Sequence, residues 1–83
     1  MGQVAVKFKI MPTSTNTDIN SIKSKIEKIT DVKDAKIENL AFGLRVLKIL
    51  IMLPDRHGIS EIENKIKQIS GVSEVETESI TLV

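Results

Sequence analysis

Ser21–Val32 reads SIKSKIEKITDV and Glu61–Val72 reads EIENKIKQISGV. Laid over one another, forty residues apart, they put Ile22 on Ile62, Ile26 on Ile66, Ile29 on Ile69 and Val32 on Val72, with Lys25 on Lys65. Ile19 on Ile59 extends the match backward, so each set steps by three, four and three residues, the spacing of one face of an α-helix. Each helix follows an apolar extended run closed by a proline, Val4–Pro12 and Leu44–Pro54, and precedes another short strand. Two strand–helix–strand units in 83 residues make one small domain, spanning 1–83, with a sheet on one side and two helices on the other.

The first strand, Val4–Met11, alternates: Val4, Val6, Phe8 and Ile10 share one face, Ala5, Lys7 and Lys9 the other. That is a half-buried strand with one wet face. After the polar loop Pro12–Asn16, Thr17 or Asp18 can cap a helix running to about Ile29. The second strand, about Asp34–Glu38, is short, with Ala35 and Ile37 facing inward. The third, about Leu44–Leu53, is apolar on both faces, as a central strand is when both are covered. Pro54–Gly58 turns the chain into a second helix. Ser60 and Glu63 have the spacing of a capping box, and Gly71 supplies a left-handed stop. The last strand, about Ser73–Leu82, carries Glu74, Glu76 and Glu78 on one face, which would confront Lys7 and Lys9 if it pairs with the first.

The order is βαββαβ. Right-handed crossovers applied to both units give a four-stranded antiparallel sheet with the two helices on one face, an α+β ferredoxin-like plait. The other face would then carry Val46, Leu50 and Met52 among its charges. An apolar group there marks either a contact surface or a register displaced by one residue.

Composition narrows the function. A chain this short buries about 60–65% of its unfolded surface, and 41% hydrophobic residues suffice for one core. Twelve basic against eleven acidic residues leave a charge of +1, too weak a field to argue for nucleic acid or an anionic membrane. Cysteine is absent, which removes disulfides, thiolate metal sites and thiol catalysis together. Met1-Gly2-Gln3-Val4 leads straight into a strand without the charged-then-apolar pattern of a secretory leader, and no apolar run reaches the ~20 residues of a membrane span. A cytoplasmic protein is the expectation.

Candidate chemistry is sparse. His57, the one histidine, lies in a turn beside Asp55 with no nucleophile close in sequence, so catalysis is not expected. Glutamates alternating along a flat strand do not converge on one cation. The glycines (Gly2, Gly43, Gly58, Gly71) are scattered rather than gathered into a phosphate-cradling loop, so no nucleotide or other cofactor site is expected. Phe8 shares the core face, leaving no aromatic pair on the central strands for stacking RNA bases.

One segment stands apart: Leu40-Ala41-Phe42-Gly43-Leu44-Arg45-Val46-Leu47. Phe42 falls in a loop. It is either a plug closing one end of the core or an exposed aromatic wedge of the kind that dominates interface hot spots. Gly43 beside it lets the loop bend sharply.

Ala41-Phe42-Gly43-Leu44, followed by a basic residue, an apolar one and Leu47, resembles the signature of the elongation factor 1-beta family, and the whole chain resembles its short archaeal form. The resemblance runs from a first strand ending Met11-Pro12, through a third ending Pro54-Asp55 and a helix ending Ile69-Ser70-Gly71-Val72, to Thr81-Leu82-Val83. It implies a guanine-nucleotide exchange factor, not an enzyme in its own right, whose partner is elongation factor 1-alpha, the GTPase that carries aminoacyl-tRNA. It also implies two contact sites. Phe42, with Ala41 and Gly43, corresponds to the turn that touches the partner's second domain. Leu82, with Val83, corresponds to the place where eukaryotic members carry a lysine directed at the partner's magnesium and phosphate site. Leucine cannot act as a cation, so a wedging role for Leu82 and Val83 is the expectation. The rival reading is a small regulatory or oligomerising plait that binds a metabolite. Such domains use a glycine in the first strand–helix loop, and Pro12–Thr17 has none.

Overall fold

The computed structural model describes residues 2–14 and 16–83, the Ala41 side chain excepted. Its elements are β1 (Val4–Pro12), α1 (Ile19–Glu27), β2 (Val32–Asn39), β3 (Arg45–Leu53), α2 (Ile59–Lys67) and β4 (Val72–Leu82). Two 3-10 turns, Ala41–Gly43 and Arg56–Gly58, precede β3 and α2. The two helices have equal length and start forty residues apart, so the internal repeat is a repeat of structure. The strands form one antiparallel sheet in the order β2-β3-β1-β4, the order of the ferredoxin-like plait.

Register follows from which faces are apolar. Val4, Val6, Phe8 and Ile10 stand opposite Leu53, Ile51, Ile49 and Leu47, and all eight are buried in one cluster with Ile22 and Ile26 of α1 and Ile59 and Ile66 of α2. Ile26 and Ile66, matched by the repeat, are both fully buried. Burying a side chain of this size is worth about 1.5–3 kcal/mol, so the repeated stripe is what holds each helix on the sheet.

The register is not displaced. Val46, Leu50 and Met52 lie on the face away from the helices, Val46 buried and the other two half-buried.

The ends of elements depart from the spacing. Asp18, rather than Thr17, caps α1: its Oδ1 accepts the N–H groups of Asn20 (3.0 Å) and Ser21 (3.3 Å). The helix ends at Glu27, and Ile29 donates its N–H to Ile26 in a tightened last turn. The capping box does not form. Asp55 takes the N–H of His57 at 2.8 Å and caps the Arg56–Gly58 turn, which runs directly into α2, so Ser60 is already inside the helix. Glu63 is thereby released to accept the Thr77 hydroxyl at 3.0 Å and pair with Lys67 at 3.5 Å. Gly71, with φ +95°, turns the chain from α2 into β4 as its residue type suggests.

β4 also differs. Glu76 stands opposite Lys9 as expected, but Glu74 faces Met11 and Lys7 faces Ser79. Thr77 pairs with Phe8 while Ser79 pairs with Lys7, so Glu78 is an extra residue, a β-bulge. The bulge breaks the alternation and moves the glutamate that would have met Lys7.

Candidate functional site

The β2–β3 connection is five residues long, Leu40–Leu44, closed by the Leu40 N–H donating to the Leu44 carbonyl at 2.6 Å. Reversing the chain in so short a space requires left-handed backbone, and two successive residues provide it: Phe42 (φ 63°, ψ 29°) and Gly43 (φ 75°). Glycine adopts this region freely. For a phenylalanine it costs about 1–2 kcal/mol. Phe42 recovers none of that by packing, since it is 96% exposed. The plug reading is therefore incorrect: the ring stands outside the core. Leu44 beside it and Ile37 on β2 are also substantially exposed, giving the hairpin end an apolar tip. Ala41 opens the turn; its side chain lies outside the described residues.

A second apolar exposure lies at the end of β4. Ile80 pairs with Val6 and Leu82 with Val4, so both face the helix side of the sheet, yet they are 43% and 69% exposed. Val83, also exposed, is tied to Gln3 by two backbone hydrogen bonds of 2.9 and 3.1 Å. Leu82 and Val83 are thus held in the sheet rather than trailing from it. Phe42 and Leu82 are not brought together. They occupy different ends of the domain.

Across the open face, Lys48 donates to Glu38 at 3.1 Å and lies 3.5 Å from Glu78, joining β3 to β2 and, over β1, to β4. The hydrogen bond to Glu38 raises the Lys48 pKa above the ordinary lysine value, and the charges of Glu38 and Glu78 add to it. A depression of about 390 Å³ lies over this cluster, lined also by Lys7, Lys36 and Leu50. The residue spacing did not reveal this three-stranded linkage, because it depends on the bulge at Glu78. The one available signal was an odd interval of five between Val75 and Ile80, which even alternation cannot span.

His57 is 95% exposed, with Nδ1 3.4 Å from Asp55. Among the described residues no group of three or more histidines or carboxylates is placed to hold a metal ion. Among the described residues no helix is long and apolar enough to cross a membrane.

Comparison with known proteins bears on the fold and the family. The solved ACT domain from the GTP pyrophosphokinase of Chlorobium tepidum superposes with a TM-score of 0.63, covering 93% of this chain and 99% of that one. At 16% identity the likeness concerns the fold alone. The elongation factor 1-beta of Thermoplasma acidophilum is 38% identical over 88 residues, covering all of both chains. That of Archaeoglobus fulgidus is 35% identical over 89 residues, again covering both completely, and that of Methanocaldococcus jannaschii 38% over 88, covering 99% of each. The profile of the EF-1 guanine nucleotide exchange domain matches residues 5–83, from β1 through the Phe42 turn to Val83, and the chain belongs to that family.

Proposed function

We propose that this chain acts on elongation factor 1-alpha through two separated contacts, the Phe42 turn (Ala41, Phe42, Gly43) and the end of β4 (Leu82, Val83). The chain is a guanine-nucleotide exchange factor of translation elongation, promoting GDP release and GTP rebinding on that GTPase. It binds no nucleotide of its own in this reading; the nucleotide belongs to the partner, in its GDP-bound or nucleotide-free form, and neither nucleic acid nor membrane is engaged. Exchange is a coupling free energy. If the factor binds the nucleotide-free GTPase more tightly than the GDP form, it must weaken GDP binding by the same factor.

The observation that carries the two-contact reading is the state of Phe42, strained in its backbone and unrewarded by its own core. Such strain persists where function requires it, and a rigid aromatic on a short hairpin is a strong anchor for a partner. At the other end, Leu82 offers apolar area in place of charge. It acts by displacing partner segments around the nucleotide rather than by attracting phosphate or magnesium. The test is a pair of titrations against elongation factor 1-alpha, nucleotide-free and GDP-bound. Tighter binding to the nucleotide-free form, weakened by Phe42→Ala, is the expected result. Equal affinity for the two forms would contradict an exchange role.

A further inference from the structure

The sheet has two edges, β2 and β4, and they are protected very differently. β2 sets Lys33, Asp34, Lys36 and Glu38 into eight residues and shifts register at Lys33, the devices that keep an edge from pairing with other chains. β4 is protected over its first part by Glu74, Glu76 and Glu78 and by register shifts at Ser73 and Glu78. Beyond the bulge, Ser79–Val83 has no charged side chain and no proline.

The backbone of that stretch has a defined orientation. Val83 and Gln3 exchange both of their hydrogen bonds, so Val83 points its N–H and C=O toward β1. Polar groups alternate along an antiparallel strand, and no shift of register interrupts Ser79–Leu82. Thr81 therefore also points inward, and Ile80 and Leu82 direct their N–H and C=O groups to the open edge. Their side chains, exposed on the helix face, border the same strip.

We propose that this edge accepts an extended segment of elongation factor 1-alpha as a fifth strand, hydrogen-bonded to Ile80 and Leu82. The inference rests on the exchange-factor reading and specifies how the second contact is made. The incoming segment is uncharged and apolar where it passes Ile80 and Leu82, and it carries lysine or arginine where it passes Glu76 and Glu74. Main-chain bonds supply affinity and the flanking side chains select the segment. A second copy of this chain does not fit. Two copies paired antiparallel along β4 set the glutamates of one strand against those of the other.

The experiment is residue-resolved amide hydrogen exchange on this protein, alone and bound to nucleotide-free elongation factor 1-alpha. Binding is compared for Ile80→Pro and Leu82→Pro against Ile80→Thr and Leu82→Thr, with Phe42→Ala alongside. Each proline deletes one outward N–H and leaves the bonds to β1 in place; protection at Thr81 reports that β4 stays folded. The expected result is that the Ile80 and Leu82 amides exchange freely alone and become protected in the complex. Each proline should then weaken binding about tenfold more than the matching threonine, as loss of a main-chain hydrogen bond to a partner implies. If the complex forms and Phe42→Ala weakens it, but the two amides stay unprotected and the proline and threonine variants bind alike, the added strand is overturned and the exchange reading stands. If the proline variants abolish a dimer of this chain instead, the occupant is a second copy and the proposal is overturned. If the unaltered protein does not bind, both fall.

Discussion

Phe42 and Leu82 lie at opposite ends of one sheet. Phe42 tips the hairpin that joins Asn39 to Arg45, whereas Leu82 stands beside Val4, whose other neighbour is Leu53. From Arg45 to Leu53 the strand advances about 26 Å, so the sheet separates the two exposed apolar side chains by more than the width of a single binding pocket. A partner touching both must present two distant surfaces to this chain.

The conformation of Phe42 lets stability and binding be tested separately. Phe42→Gly removes the cost of left-handed backbone and sacrifices no buried area, so it should stabilise the protein by about 1 kcal/mol, raising the melting temperature by roughly 4–8 °C. The same variant should lose affinity for elongation factor 1-alpha. Thermal unfolding and binding, measured on one preparation, check both; a lower melting temperature would mean that Phe42 packs against the fold after all.

The repeat makes a quantitative demand on the core. Ile26 and Ile66 are equivalent and both fully buried. Ile26→Val and Ile66→Val should each cost about 1 kcal/mol, with urea midpoints lowered equally and slopes unchanged. Ile62→Val, on the half-buried turn of α2, should cost less. A marked inequality between the first two would show that the helices do not share the core as the structure places them.

Lys48 gives a signature at alkaline pH. Its folded-state pKa is raised, chiefly by the hydrogen bond to Glu38. A raised value means the stabilisation is fully present below the unfolded value of 10.5 and is lost as pH climbs through the higher folded value. Lys48→Met should therefore narrow the difference in melting temperature between pH 9 and pH 11.5 relative to the unaltered protein. An identical alkaline decline in both would show that the linkage to Glu38 and Glu78 contributes nothing.

Removing Leu82 and Val83 tests the end of β4. Both side chains are exposed, and the main loss to the fold is the pair of hydrogen bonds between Val83 and Gln3, so stability should fall by about 1–2 kcal/mol. Exchange should fall much further. A truncated protein that is folded and exchanges nucleotide at the original rate would exclude the terminus as the effector.

Much of this was legible in the residues. The isoleucine spacing placed both helices, and the alternation from Val4 to Ile10 set the register of β1, because a one-residue slip would have exposed Phe8. The motif around Phe42 pointed to a family, but whether its ring was buried could not be read from spacing. That depends on two left-handed residues in succession, and Phe42 is not a residue type that announces such backbone. The start of α2 is not fixed by residue type, because Asp55 and Ser60 are both good caps and the choice rests on how Pro54–Gly58 winds. Treating Glu74, Glu76 and Glu78 as one even stripe hid the bulge, and with it the linkage through Lys48 and the outward turn of Ile80 and Leu82.

The most direct test is release of fluorescent GDP from an archaeal elongation factor 1-alpha, with this protein and with Phe42→Ala, both confirmed as folded. Accelerated release, reduced by loss of the ring and restored by raising the variant's concentration, is the predicted result. No acceleration by the unaltered protein in excess, or full acceleration by Phe42→Ala, would contradict the account of how this chain does its work.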